Sequence, residues 1–170
     1  MTFLKLIRKL KKESSQLKIV CIGLDNAGKT TILHNILGIP SADIDPTFGY
    51  SLYTGEYLET SLCVYDIGGQ VIFREHWNNY FERSDGIIFV YDMSDTREYI
   101  NDLNRVVNEI PGVPILVLGN KEDLCLGSGN GLCIENDDIK FYRVSGLNKD
   151  TLIDPFTWFI SRCNENLSFK

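Results

Sequence analysis

The segment GLDNAGKT, residues 23–30, has the spacing of a phosphate-binding loop: glycine, four residues, glycine, lysine and a hydroxyl residue. Successive backbone N–H groups of such a loop can surround a phosphate, since Gly28 lets the backbone approach closely. Lys29 would neutralise the β- and γ-phosphates, and Thr30 would place a hydroxyl on Mg²⁺. The predicted contacts are Asp25, Asn26, Ala27, Gly28, Lys29, Thr30 and Thr31.

A second segment, NKED at residues 120–123, predicts which base the nucleotide carries. The carboxylate of Asp123 can accept two hydrogen bonds from the N1–H and N2–H₂ edge of guanine, a donor pair that adenine lacks. Lys121 can lie along the base, and Asn120 can tie this segment to the phosphate-binding loop. Alone, NKED could be an acidic surface turn; together with GLDNAGKT it indicates a guanine nucleotide.

The segment DIGGQ, residues 66–70, has the residues needed at a γ-phosphate. Asp66 is expected to hold Mg²⁺ through water, and Gly69 lets a backbone N–H approach the phosphate. Gln70 would orient the attacking water for in-line displacement, which makes it the predicted catalytic residue. The alternative is a glycine turn between a strand and a helix.

A further hydroxyl lies in the loop after the first predicted helix. Thr47 follows a proline there and could give Mg²⁺ a second hydroxyl ligand. The predicted metal ligands are therefore Thr30 and Thr47.

The elements that would position these motifs alternate along the chain. Two strands are predicted within residues 50–69, around a turn near 55–59. The other predicted strands cover residues 17–23, 85–92, 113–120 and 140–145, and the helices cover 29–37, 96–110 and 156–167. The last helix is predicted to have Asp154 as N-cap and Pro155 at its first position. This alternation predicts an α/β fold, a mainly parallel six-stranded sheet with helices on both faces.

One segment breaks the alternation. Residues 124–138 lie where another helix would be expected, but three glycines in five residues disfavour a full helix. A surface loop or a single turn is predicted there.

The charge distribution excludes one class of partner. The first twelve residues hold five basic side chains and no acidic one, and the rest of the chain holds 12 basic against 23 acidic side chains. Nucleic-acid affinity depends on neutralising phosphates, so no nucleic-acid partner is expected. Five cysteines without a paired spacing indicate neither a disulfide framework nor a zinc site.

The N-terminal segment, residues 1–14, predicts an amphipathic helix, with residues 15–170 as the second unit. Phe3, Leu6 and Ile7 fall on one side and Lys5 and Arg8 on the other, as in helices that lie on a membrane surface. Lysine or arginine interrupts the apolar residues too often for a secretion signal. The alternative is that the apolar side packs on the rest of the protein.

The motifs together resemble the ADP-ribosylation-factor (Arf) family of small GTPases, particularly its Arf-like branch. GLDNAGKTT, PTFGY, DIGGQ, the arginine and tryptophan of FREHW, and NKED occur in that family's order, closely over residues 1–123 and loosely afterwards. The resemblance implies a P-loop small GTPase fold, with residues 15–170 as the GTP-binding domain. It also implies a GTP/GDP switch with slow hydrolysis, acting in vesicle or membrane trafficking or a related cytoskeletal or cargo-release pathway. A GTP-binding scaffold with negligible hydrolysis is the alternative.

Two departures from the family concern its recognition surfaces. The last base-contacting loop reads VSG instead of Ser-Ala or Cys-Ala, and the backbone N–H groups of Ser145 and Gly146 are expected to meet the guanine oxygen. The implied effector surface carries Tyr50, Tyr65 and Tyr80 with Trp77, and the alternative is that the tyrosines pack inward.

The resemblance also implies protein and membrane partners. No arginine is evident in cis to stabilise the transferring phosphate, so a GTPase-activating protein is expected besides an exchange factor. Thr2 stands where many relatives have a myristoylated glycine, so this chain is expected not to be myristoylated. Weak membrane contact through residues 2–12 predicts a cytoplasmic protein that is peripheral on intracellular membranes.

Overall fold

The computed structural model describes residues 16–40, 44–125 and 136–168. The strands are β1 Leu17–Gly23, β2 Tyr50–Tyr57, β3 Thr60–Ile67, β4 Gly86–Asp92, β5 Ile115–Asn120 and β6 Ile139–Arg143. They form one sheet in the order β2-β3-β1-β4-β5-β6. β2 runs antiparallel to β3, and the other neighbouring strands of this described sheet are parallel. The predicted six-stranded, mainly parallel sheet is confirmed.

Helices cover both faces of the sheet. The α-helices are α1 Lys29–Leu37, α2 Val71–Arg74, α3 Ile100–Glu109 and α4 Asp150–Ser168, and the 3₁₀ segments are Trp77–Arg83 and Glu122–Leu124. None of the helices in the described ranges is both long and apolar enough to cross a membrane. The predicted N-terminal helix and residues 126–135 of the glycine-rich segment lie outside the described residues.

The core is divided into two layers by the alternation of side chains along each strand. On β1, Ile19 faces the layer that contains α1 and α4, whereas Val20 faces the layer that contains α3. Phe159 is fully buried in the first layer, and Phe89 is fully buried in the second. Because both faces of the sheet are covered, the central strands read as nearly continuous apolar runs.

The β2–β3 hairpin turns more tightly than its sequence predicted. Its turn consists of Leu58 and Glu59, which have φ values of 48° and 59°, while Gly55 lies inside β2. A two-residue turn in the left-handed region fits the twist of the two strands.

The predicted start of the last helix is wrong. α4 begins at Asp150, and Pro155 lies inside it. The side-chain oxygen of Asn148 accepts the N–H of Asp150 at 3.1 Å and so caps the helix earlier than predicted. Pro155 removes one intrahelical hydrogen bond, and the buried side chains of Leu152 and Phe156 on either side offset that cost.

Replacing Asn148 by alanine is expected to lower the free energy of unfolding by about 1 kcal/mol, because the cap of α4 is lost. Asp154→Ala is the matched variant at the position that the sequence predicted as cap. It is expected to change the free energy by less than about 0.5 kcal/mol, since Asp154 is exposed within the helix. Urea denaturation of both variants measures the difference, and a larger loss for Asp154→Ala would contradict the observed helix start.

Candidate functional site

A cavity of about 420 Å³ opens at the carboxyl ends of β1 and β3. Because β1 lies between β3 and β4, the cavity is at the point where the strand order reverses, the usual ligand site of such sheets. Its lining residues are Asp25, Asn26, Gly28, Lys29, Thr30, Thr31, Ile44, Asp45, Pro46, Thr47, Gly69 and Gln70. The structure thus brings together the phosphate-binding loop, the Thr47 loop and DIGGQ, which are separate in sequence.

The phosphate-binding loop depends on the conformation of Gly28. This residue has a φ of 90°, and a Cβ atom there would lie 2.3 Å from Nδ2 of Asn120. Both the backbone angle and the lack of space therefore require glycine. α1 begins at the next residue, Lys29, so its free N–H groups and positive dipole end face the cavity.

The ammonium of Lys29 is held inside this loop. Only 6% of the residue is exposed, and Nζ donates to the carbonyl oxygens of Gly23 at 3.3 Å and Leu24 at 2.9 Å. Burial lowers the pKa of Lys29 below its ordinary value. A phosphate beside Nζ would stabilise the charged form and counteract that burial.

Three oxygen-bearing side chains converge at the inner end of the cavity. Oγ1 of Thr30 donates to Oδ2 of Asp66 at 2.5 Å, and Oγ1 of Thr47 lies 3.1 Å from Oγ1 of Thr30 and 3.3 Å from the same carboxylate oxygen. Asp66 is fully buried, and its Oδ1 has no hydrogen-bond partner within the described part of the chain. Burial raises the pKa of this carboxyl group. Hydroxyl and carboxylate oxygens around an unpaired buried acceptor fit Mg²⁺, a hard cation that prefers oxygen ligands.

DIGGQ packs directly against the phosphate-binding loop. A Cβ atom at Gly69 would lie 2.2 Å from the backbone nitrogen of Asp25, so no side chain fits at that position. Gln70 follows in an extended conformation, immediately before α2, and lines the cavity. The predicted catalytic side chain therefore lies at the phosphate end of the site.

Asn120 joins the phosphate-binding loop to the two loops that were predicted to contact guanine. Its Nδ2 donates to the carbonyl of Ala27 at 2.8 Å, and its Oδ1 accepts the N–H of Gly146 at 2.7 Å. The neighbouring Lys121 has a left-handed backbone, and its Nζ lies 2.7 Å from Oδ2 of Asp92. Asp123 is exposed in the following 3₁₀ turn. These groups lie beside the phosphate cavity without lining it.

The two N–H groups that were expected to meet the guanine oxygen donate to acceptors within the protein. The N–H of Ser145 donates to Oγ1 of Thr151 at 3.0 Å, and that of Gly146 donates to Asn120. Both donors are therefore occupied within the protein in this structure. Thr151 lies in the first turn of α4, whose early start the sequence did not reveal.

The three predicted surface tyrosines form a cluster. Their ring centroids lie 5.8–6.3 Å apart, Tyr50 is 55% exposed, and Tyr65 and Tyr80 are half-buried. Trp77 was assigned to the same surface, and this assignment is wrong. It is 1% exposed, because its ring packs edge-on against Phe89 beneath the surface.

Several residues near the site were not singled out from the sequence. Ile44 and Asp45 line the cavity, Asp92 binds Lys121, and Arg97 donates to the side-chain and backbone oxygens of Asp25 at 2.5 and 2.9 Å. Asp92 could have been identified from the sequence, since it ends a buried strand at the ligand-binding edge of the sheet. No sequence pattern indicates the role of Arg97, because 72 residues separate it from Asp25.

Comparison with known proteins identifies the family. A model described as "ADP-ribosylation factor family" matches residues 3–162. The chain belongs to the Arf family. It is 35% identical over 175 residues to ADP-ribosylation factor-like protein 2 of Arabidopsis thaliana, with 94% of each chain covered. It is 41% identical over 129 residues to the protein of that name from Dictyostelium discoideum, covering 73% of this chain and 70% of the relative.

A solved structure extends this likeness to the fold. The Arl6 (BBS3) small GTPase of Trypanosoma brucei, with the bound nucleotide analogue GppNp, gives a TM-score of 0.71 at 27% identity. The match covers 89% of this chain and 99% of that one. The small GTPase fold and the resemblance to the Arf-like branch are confirmed. This Arf-like protein is therefore a GTP hydrolase that binds GTP and GDP.

The stability of this Arf-like protein is expected to depend on pH through the buried carboxyl group of Asp66. Its pKa is raised above the ordinary 3.8, so ionisation is less favourable in the folded chain than in the unfolded chain. The nucleotide-free protein is therefore expected to lose stability as the pH rises above about 4 through the raised pKa. Asp66→Asn removes this titration, so the nucleotide-free variant is expected to be more stable than the wild type at pH 7. Its affinity for GTP in Mg²⁺ is expected to fall.

Urea denaturation of the nucleotide-free protein between pH 4 and pH 8 tests whether its stability falls as the pH rises. Asp95→Asn is the matched control, because hydrogen bonds from Arg97 lower the pKa of Asp95. That variant should lose stability relative to the wild type at neutral pH. An Asp66→Asn variant that is less stable than the wild type at pH 7 would contradict the prediction.

Proposed function

We propose that this Arf-like protein is a GTP/GDP switch with slow hydrolysis, acting in vesicle or membrane trafficking or a related cytoskeletal or cargo-release pathway. The convergence of Thr30 and Thr47 on Asp66, beside Gly69, carries the proposal. Through these contacts, the Thr47 loop and DIGGQ both meet the γ-phosphate end of the site. A ligand with a γ-phosphate would favour this arrangement, and its loss would release both loops.

The residues of the cavity have distinct proposed roles. Backbone N–H groups of residues 25–31 and the ammonium of Lys29 bind the phosphates. The hydroxyls of Thr30 and Thr47 hold Mg²⁺, with Asp66 acting through water, and the cation would neutralise charge that develops on the phosphate oxygens. Gln70 orients the attacking water. Asn120, Lys121 and Asp123 select guanine, and Ser145 and Gly146 complete that side of the site.

The positions of the nearby arginines support the proposed slow turnover. Arg97 is bound to Asp25 and Asp95, and Arg74 to Asp102. Neither lines the cavity described here. We therefore infer that fast hydrolysis requires an arginine from a GTPase-activating protein, an addition that raises rates by roughly 10³–10⁵.

The proposed partners act on surfaces near the site. Effectors would recognise the cluster of Tyr50, Tyr65 and Tyr80, which offers the exposed ring of Tyr50 and the partly exposed rings of the other two, together with their hydroxyls. An exchange factor would release GDP. The protein is proposed to be cytoplasmic, with reversible contact to intracellular membranes through residues 2–12.

Nucleotide affinity and single-turnover cleavage test the switch. GTP in Mg²⁺ is expected to bind roughly 10³-fold more tightly than ATP, because ATP would leave Asp123 unpaired. Gln70→Leu is expected to slow cleavage of bound GTP by at least about tenfold, with little change in GTP affinity. Gln16→Leu makes the same substitution far from the cavity and should cleave like the wild type. Equal affinity for ATP would refute the guanine assignment, and equal cleavage by Gln70→Leu would favour a scaffold with negligible hydrolysis.

Sedimentation with anionic liposomes tests the membrane contact. We propose that the N-terminal segment packs on the rest of the protein with GDP and is released with GTP. The full chain loaded with a non-hydrolysable GTP analogue is therefore expected to co-sediment more than the GDP form. Ile7→Glu should abolish the difference by charging the apolar side. Leu167→Glu, at the opposite end of the chain, should leave it intact. Equal sedimentation of both nucleotide forms would refute the coupling.

A further inference from the structure

Arg74 connects three segments that meet at the γ-phosphate end of the site. Its Nε donates to the carbonyl oxygen of Gly69 at 3.0 Å, and its Nη1 donates to Oδ2 of Asp102 on α3 at 3.1 Å. Its Nη2 lies 3.8 Å from Oδ1 of Asp25 in the phosphate-binding loop. One guanidinium thus contacts DIGGQ, α3 and the phosphate-binding loop.

Two residues of α3 hold Arg74, Asp102 at its side chain and Arg105 at its backbone. Nη2 of Arg105 donates to the backbone carbonyl of Arg74 at 2.9 Å and lies 3.8 Å from Oδ1 of Asp102. The Arg105 guanidinium also lies 5.6 Å from the centre of the Trp77 ring, which is buried. The α3 surface is therefore a fixed support for the side chain and backbone of Arg74.

The Arg74–Asp102 pair is sheltered from solvent. The side chains are 17% and 19% exposed, respectively, and a direct charge-assisted hydrogen bond joins them. Fully exposed ion pairs contribute little, because water and salt screen them. Because it is partly buried, this pair can hold the Arg74 side chain in one position, which a fully exposed pair would not do.

The carbonyl that Arg74 binds belongs to the peptide group linking Gly69 to Gln70. Fixing that oxygen fixes the orientation of the same peptide plane, from which the Gln70 side chain departs. On its other side, Gly69 already abuts the phosphate-binding loop. Asp25 is in turn held by Arg97, so the loop facing Arg74 is also fixed by ionic contacts.

We propose that Asp102 and Arg74 are positioning residues for GTP hydrolysis. Asp102 keeps Arg74 on the Gly69 carbonyl, and this contact holds Gln70 in the arrangement that faces the γ-phosphate. Neither residue touches the reacting atoms. The inference rests on the proposed catalytic role of Gln70, and it adds a support on α3 to which no sequence motif pointed.

The sharpest variant is Asp102→Asn, which keeps the shape of the side chain and removes its charge. Single-turnover cleavage of GTP is expected to slow about tenfold, as expected for weakening one charge-assisted hydrogen bond. The affinity for a non-hydrolysable GTP analogue should fall several-fold relative to that for GDP. GDP affinity and the melting temperature of the GDP form should stay close to those of the wild type. Glu98→Gln, which removes one charge just before α3, is the matched control and should change neither readout.

A second set of variants separates positioning from general stability. Arg74→Lys keeps the charge, but a single ammonium cannot reproduce the forked contacts to Gly69 and Asp102, so it should impair cleavage like Asp102→Asn. Because both residues act through one contact, Arg74→Ala combined with Asp102→Ala should cleave no more slowly than Arg74→Ala alone. Additive losses would overturn the proposal.

The two readouts distinguish failure of this inference from failure of the proposed function. If the wild type cleaves GTP and Asp102→Asn matches it in cleavage and in the analogue-to-GDP affinity ratio, the positioning role is refuted and the switch stands. If the wild type itself does not cleave, hydrolysis is refuted, and the affinity ratio still decides the role of Asp102. A parallel fall of GDP affinity and melting temperature would show a merely structural role and overturn the proposal.

Discussion

The site depends first on the buried amide of Asn120. One side chain donates to the phosphate-binding loop at Ala27 and accepts from the loop at Gly146, residues 93 and 26 positions away in sequence. With 3% of the residue exposed, an unsatisfied donor or acceptor would be costly, so the two loops must lie where the amide reaches both. The same amide leaves no room for a side chain at Gly28. The shape of the phosphate-binding loop and the position of the loops proposed to bind the base are therefore set together.

The parallel sheet explains why these loops can meet at all. β1, β3, β4 and β5 all direct their carboxyl ends to one edge. GLDNAGKT, DIGGQ and NKED lie at the ends of β1, β3 and β5, and β4 ends at Asp92, which contacts Lys121. Since helices cover both faces of the sheet, most side chains within these strands serve packing. The polar side chains of the site lie at the carboxyl ends of the strands, as Asp66 and Asn120 do, or in the loops that follow. The chemistry thus lies where backbone N–H groups and water-accessible side chains coexist.

The sequence predicts well what depends on local pattern. Strands buried on both faces and the GLDNAGKT, DIGGQ and NKED motifs can be identified because each is encoded within a few consecutive residues. What it could not predict depends on contacts between distant segments. Trp77 was placed on the surface, yet its burial depends on Phe89 and α3. The start of α4 is a different kind of failure, because the cap at Asn148 is as local as the cap that was predicted at Asp154. The sequence also did not reveal that the N–H groups of Ser145 and Gly146, which were expected to meet guanine, donate to Thr151 and Asn120.

The opposite pKa shifts at the phosphate end indicate how a ligand could control the loops. Burial raises the pKa of Asp66 and lowers that of Lys29, so each buried charge is disfavoured. Oγ1 of Thr47 lies 3.3 Å from Oδ2 of Asp66, so the Thr47 loop lies beside a charge that burial already disfavours. A ligand shifts a conformational equilibrium only by its differential affinity for the two states. A phosphate beside Lys29 and a cation beside Asp66 would supply that difference, since each stabilises the charge that burial disfavours. The ligand would then stabilise the position of the Thr47 loop in addition to the contacts that Thr47 makes with Thr30 and Asp66.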